Sequence, residues 1–286
     1  MQPGNTPLVE LREMAPPGTR LFAKLEWHNP TGSIKDRPAW KMFHDAKEQG
    51  LLPDRMQLIE ATSGNTGIGL ARVALINNHP IAICLPDSAS ESRKQLLRAY
   101  GAELIEVPGG PNGAIAYAKE LVEAGEGHML YQYGNPSNPA AHEFGTALEI
   151  ERDWALTAPP DHLVAAYGTG GTLTGNSRGM RRAYPRIRVH SAEEFSADPI
   201  SGMRSQDDPF QPPVADLSLV TDRWQVESHL ASKTVHDLMQ AEGHFAGTSS
   251  GAVIMAAQLA LDKYGGTAVA LLPDSGWKYL DGDPWN

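Results

Sequence analysis

Short apolar runs alternate with longer amphipathic stretches along almost the whole chain. This rhythm restricts the possible folds more than any other feature of the sequence. Residues 21–25, 57–61, 81–85, 103–107 and 129–131 read as strands, and residues 39–49, 65–77, 90–100 and 113–123 as the helices between them. Ser90 followed by Glu91 supplies a start signal for the third of these helices. After Trp154 to Asp161, which reads as a connection close to a change of domain, the pattern resumes. Strands are expected at 162–167, 186–192 and 267–272, and helices at 172–183, 228–242 and 250–263. Strand and helix in alternation mean βαβ units and mainly parallel sheets. A chain of 286 residues is long enough for two such α/β domains or one large one. Residues 199–213, rich in proline and aspartate, break the rhythm and read as a surface loop.

Charge and cysteine content narrow the function. The formal net charge is −10, so the overall field has no general attraction for nucleic acid or an anionic membrane surface. Anionic ligands must be gathered locally. The single cysteine, Cys84, lies in an apolar run; it excludes an internal disulfide and reads as a core thiol. No basic segment followed by an apolar stretch opens the sequence, and no window approaches 18 consecutive apolar residues. A cytoplasmic protein is expected.

Two glycine-rich turns each follow a strand and precede a helix. The first is Ala61-Thr62-Ser63-Gly64-Asn65-Thr66-Gly67, the second Gly168-Thr169-Gly170-Gly171-Thr172. Glycine lets the backbone approach a ligand, while the helix behind it aims free N–H groups and a partial positive charge at that point. One such turn is as readily a tight connection as an anion site; two in one chain favour a ligand. The dinucleotide fingerprint fails, because Leu173 occupies its third glycine position. Gly247-Thr248-Ser249-Ser250-Gly251 fits the nucleophile elbow of serine hydrolases, but no histidine follows it to complete a triad. The ten histidines show no metal-ligand spacing, and no metal is expected.

The segment Asn29-Pro30-Thr31-Gly32-Ser33-Ile34-Lys35-Asp36-Arg37 resembles the cofactor-lysine segment of the cysteine synthases, a family of fold-type II pyridoxal phosphate (PLP) enzymes. Asn5 to Val9 resembles their N-terminal signature, Glu60 to Gly67 their substrate loop, and Gly168 to Thr172 their phosphate loop. Segments 99–105, 131–136 and 247–252 match in the same order, with the closest likeness to the cysteine synthase B branch.

The resemblance implies two three-layer αβα domains with mainly parallel sheets and PLP between them. One domain would span residues 35–140; the other, larger one would combine 1–34 with 141–286. Lys35 would carry the coenzyme as a Schiff base and serve as the catalytic base. Gly168, Thr169, Gly170, Gly171 and Thr172 would hold its phosphate, Asn65 its ring hydroxyl, and Ser249 its pyridine nitrogen. Asp274 lies in a later turn that could come near the ring. Thr62, Ser63, Gly64, Asn65, Thr66 and Gln132 would bind the substrate carboxylate. Arg204 matches a position near the sulfur donor in the B branch, although Ser205-Gln206 departs from that branch beside it.

The implied reaction is β-replacement of O-acetyl-L-serine with sulfide, or with thiosulfate or another sulfur donor, in a homodimer. A serine acetyltransferase tail is an implied partner. Two alternatives stay open at this point. One is another PLP lyase of the same fold, such as cystathionine β-synthase or serine/threonine dehydratase; the other is a non-catalytic regulatory protein.

Overall fold

The computed structural model describes residues 1–62, 64–282, 284 and 285. Its ten strands are β1 Leu8–Glu10, β2 Arg20–Leu25, β3 Leu58–Ala61, β4 Ile81–Pro86, β5 Glu103–Val107, β6 His128–Met129, β7 His162–Ala166, β8 Arg188–Glu194, β9 Asp222–Val226 and β10 Thr267–Leu272. They form two sheets, one of order β1-β2-β10-β7-β8-β9 and one of order β5-β4-β3-β6. All pairings are parallel except that of β1 with β2, where Leu8 lies opposite Lys24.

Helices cover both sheets. They are α1 Asp36–Glu48, α2 Asn65–Ile76, α3 Glu91–Ala99, α4 Gly110–Glu123, α5 Ser137–Ala141, α6 Ala147–Asp153, α7 Gly171–Ala183, α8 Ser228–Glu242 and α9 Thr248–Tyr264, with a π-helical turn at His142–Thr146 between α5 and α6. Successive strand residues point to opposite faces, so a strand covered on both sides must be apolar throughout. In β10, Ala268, Ala270 and Leu272 join the core with α8 and α9, while Val269 and Leu271 join the core beneath α7. The smaller sheet repeats the arrangement: Ile81, Ile83 and Leu85 of β4 pack with α1 and α2, and Cys84 packs with Ala114 and Ala118 of α4. Each sheet is the middle of three layers, as the sequence rhythm requires.

Three expectations are corrected. The strand placed at 129–131 is His128–Met129, because Tyr131 takes a left-handed φ of 56° and turns the chain out of the sheet. Residues 199–213 contain no strand or helix, but they are not simply a surface loop. Ile200, Met203 and Ser205 are buried, and the Arg204 N–H donates to the Tyr167 carbonyl at 2.8 Å. The strand placed at 186–192 begins two residues later and runs to Glu194.

Buried charge locks the start of α1. Arg37 grips Glu26 with Nε at 2.7 Å and a second nitrogen at 2.8 Å, and reaches Glu149 with two further bonds at 2.7 and 2.8 Å. Lys24 completes the group, 3.0 Å from Glu149. Burial pushes the Glu149 carboxyl up, but its bonds to Arg37, the Asn5 N–H and Lys24 outweigh this and hold it at about 2. Lys35, two residues before Arg37, is thereby fixed in space.

Candidate active site

Lys35 immediately precedes α1, at the end of a turn tied by Asp36, which accepts bonds from the Thr31 N–H at 2.9 Å and its hydroxyl at 2.8 Å. The Lys35 amine has no hydrogen bond or ion pair among the described residues. Burial pushes its pKa down to about 8, against an opposing pull from the Asp274 charge. An unpartnered amine facing a cavity, its pKa lowered toward neutrality, loses its proton far more readily than an ordinary lysine and is a nucleophile or base in waiting.

That cavity measures about 940 Å³. Thr62, Gly64, Asn65, Thr66 and Gln132 line it from the smaller sheet, and Gly168, Thr169 and Arg204 from the larger. A recess of about 50 Å³ shares Lys35, Asn65, Gly168 and Thr169 with it and adds Gly170, Thr172, Ser249 and Asp274. Of the anticipated site residues, Gly171 lines neither space, and Ser63 lies outside the described residues.

The Gly168–Thr172 turn leads straight into α7. Gly170 caps that helix with a left-handed φ of 79°, and a side chain on Gly171 would collide with Asn138. These two glycines therefore serve packing as well as any ligand. Asn138 also donates to the Thr169 hydroxyl at 3.1 Å, and His142 lies 3.3 Å from that of Thr172. Burial, together with the charges of Arg37 and Lys35, holds the His142 pKa well below normal, so it is neutral.

On the opposite wall the Thr66 hydroxyl donates to Gln132 Oε1 at 2.6 Å. Glu60 sits beneath, accepting from the Tyr131 N–H at 2.9 Å. Burial pushes the Glu60 carboxyl up to about 8 against three backbone N–H donors, so at neutral pH it is a protonated acid that pins the Tyr131–Gln132 backbone. Sequence reasoning missed Glu60, Asn138 and His142, which support the cavity walls, and Lys278, which lines the cavity.

Ser249 is the second residue of α9, and its hydroxyl is unpartnered among the described residues. Ala246 before it forms only an isolated bridge with Ser275, so the strand a hydrolase elbow needs is missing there. No group of three or more His, Cys, Asp or Glu could hold a metal among the described residues.

These features fit PLP on their own chemistry. A free amine suits its aldehyde, and a helix tip built of three glycines and two threonines suits its phosphate. An unpartnered hydroxyl and the buried, unpartnered Asp274 Oδ1 add polar groups that a ligand can satisfy.

Residues 1–274 match the family model described as "Pyridoxal-phosphate dependent enzyme". The chain is 39% identical to cysteine synthase B of Salmonella typhimurium over 282 residues, covering 97% of this chain and 92% of that protein. It is 38% identical to O-ureido-L-serine synthase of Streptomyces lavendulae over 292 residues, covering 97% and 89%. A crystal structure of O-ureido-L-serine synthase superposes with a TM-score of 0.92 at 37% identity, covering 99% of this chain and 92% of that one. Cysteine synthase of Entamoeba histolytica gives 0.91 at 31% identity, covering 99% and 88%. The amine, the helix tip and the matched sequence agree: this chain belongs to the pyridoxal-phosphate-dependent enzymes, within the cysteine synthase family.

Proposed function

We propose that the protein is a cytoplasmic cysteine synthase that converts O-acetyl-L-serine and sulfide into L-cysteine and acetate. The observation that carries this reading is the unpartnered Lys35 amine, set between a carboxylate-sized cradle and a helix-tip anion site. In this reading residues 35–140 and the remainder of the chain form the two lobes that bring these parts together.

PLP, when bound, supplies an electron sink for the bonds at the amino acid's Cα. The rest falls to the chain. Gly168, Thr169, Gly170, Gly171 and Thr172 hold the phosphate, Asn65 the ring oxygen, and Ser249 the ring nitrogen. A serine hydroxyl, unlike a carboxylate, does not keep that nitrogen charged, which favours rapid loss of acetate. Thr62, Ser63, Gly64, Thr66 and Gln132 hold the substrate carboxylate and keep water from it. Lys35 removes the Cα proton and returns one after sulfur has added at Cβ.

A second nucleophile subsite is supported by Arg204. Its guanidinium lies 5.4 Å from the Tyr133 ring centre and 5.2 Å from that of Phe210, on the cavity wall. A cation held between two rings suits an anionic donor such as thiosulfate. Exposed Phe144 and Leu148, one helical turn apart, support a homodimer, and a carboxylate cradle suits the C-terminus of a serine acetyltransferase tail.

The test is product analysis on the purified, coenzyme-loaded protein. Cysteine and acetate should form from O-acetylserine and sulfide, and neither product should form with Lys35→Ala. Cystathionine from serine and homocysteine at a greater rate would move the protein to the alternative lyase reading.

A further inference from the structure

A second lysine enters the cavity and has no role in the account above. Lys278 follows β10 on a short 3₁₀ turn, Gly276–Tyr279. Its Nζ donates to Asn65 Oδ1 at 2.6 Å, across 213 residues of sequence. The other end of the same amide donates from Nδ2 to Asp274 Oδ2 at 2.7 Å, and the Tyr279 hydroxyl donates to that carboxylate oxygen at 2.7 Å. Asn65 thus lies between a cation and an anion, each facing the end of the amide that suits it.

This has a chemical consequence. An asparagine amide offers two N–H donors and one acceptor oxygen, and it can flip to suit a neighbour. Here flipping would turn the oxygen toward a carboxylate and the NH₂ toward an ammonium. With the oxygen engaged by Lys278 and one N–H by Asp274, the strong function left to Asn65 is its second N–H. The side chain is therefore preset as a donor before any ligand arrives. Asp274 alone does not account for this, since it leaves the Asn65 oxygen unpartnered at the cavity wall.

We propose that Lys278 is a positioning residue, which acts through Asn65 to hold that amide as a hydrogen-bond donor toward the oxygen of the coenzyme ring. The inference rests on the functional reading above, and the experiment separates the two. Pyridoxal phosphate is titrated into coenzyme-free parent, Lys278→Met, Lys278→Arg, Asn65→Ala and the Lys278→Met/Asn65→Ala double variant. Affinity is read by absorbance and tryptophan fluorescence, and folding by circular dichroism.

Losing one charge-assisted bond should weaken coenzyme affinity about tenfold in Lys278→Met. Lys278→Arg should recover most of it, and Lys278→Met should add less than about twofold in the Asn65→Ala background. Unchanged affinity in Lys278→Met would overturn the proposal. So would an equal loss with and without Asn65, or a failure of arginine to rescue a folded protein. Should Lys278→Met not fold, Lys278→Leu, which likewise lacks a donor, takes its place, with the same outcomes deciding. A parent protein that takes up no pyridoxal phosphate would instead refute the functional reading itself.

Discussion

Thr66 donates its hydroxyl hydrogen to Gln132 Oε1 at 2.6 Å, and this bond ties the first turn of α2 to the chain leaving β6. It commits the Gln132 carbonyl to the protein and leaves its NH₂ for a ligand. Replacing Gln132 with Ala should raise KM for O-acetylserine about tenfold or more, while sulfide affinity changes little. Initial rates against each substrate in turn check this; an unchanged KM would remove Gln132 from the cradle.

The Lys35 amine, with its pKa brought down to about 8, must be neutral to attack the coenzyme's aldehyde. The rate at which coenzyme-free protein takes up pyridoxal phosphate should therefore rise with pH and level off with a midpoint near 8. An ordinary lysine would give a rate still climbing at pH 9.5. Stopped-flow absorbance across pH 6.5–9.5 distinguishes the two.

Arg37 neutralises Glu26, whose side chain is fully buried. Arg37→Met leaves that carboxylate without its cation and should cost about 3–5 kcal/mol of stability. Urea unfolding, read as a lowered midpoint at unchanged slope, is the measurement.

Glu60 is a buried acid whose pKa of about 8 lies above the ordinary 4.5. A carboxyl raised in the folded state stabilises fully below its unfolded pKa and loses that contribution as pH rises through about 8. Glu60→Gln, neutral at every pH, should equal or exceed the parent in urea midpoint at pH 8.5. At pH 5 the two should differ little. Glu60→Ala should be destabilised at both, because it abandons the Tyr131 N–H.

His162 and His190 form a buried pair, Nδ1 to Nε2 at 2.9 Å, on adjacent strands. Burial chiefly, with the neighbouring His162 next, brings His190 down to about 4, although Asp222 lies 3.4 Å away and pulls the other way. The unfolded chain takes up a proton near pH 6.5 that the folded protein refuses. Stability should therefore fall between pH 6.5 and 4, by about 3 kcal/mol from this residue. Denaturation midpoints at pH 7 and 4.5, with imidazole nitrogen shifts reporting a neutral His190 at pH 5.5, provide the check.

The sequence rhythm revealed most of the fold because strands buried on both faces, such as β4 and β10, are continuous apolar runs. The strands it missed, β1 and β9, lie at the edges of the larger sheet. In Asp222–Val226 exposed side chains alternate with partly buried ones, and the segment is too short and polar to stand out. The lining of the cavity and its recess was legible where residues cluster in turns, as with Gly168, Thr169, Gly170 and Thr172. Lys278 and Asn138 were not, because their roles lie in contacts with residues distant in sequence. Glu60 was hidden differently: it reads as a strand carboxylate, and only its burial makes it a neutral acid.

The knot of Glu26, Arg37 and Glu149 joins segments drawn from the beginning and middle of the chain two residues after Lys35. A ribosome-bound chain that has emerged only through its first hundred residues carries the reactive lysine but neither Glu149 nor the glycine turn at 168. The two halves of the candidate site therefore cannot come together until the chain has emerged at least through Thr172.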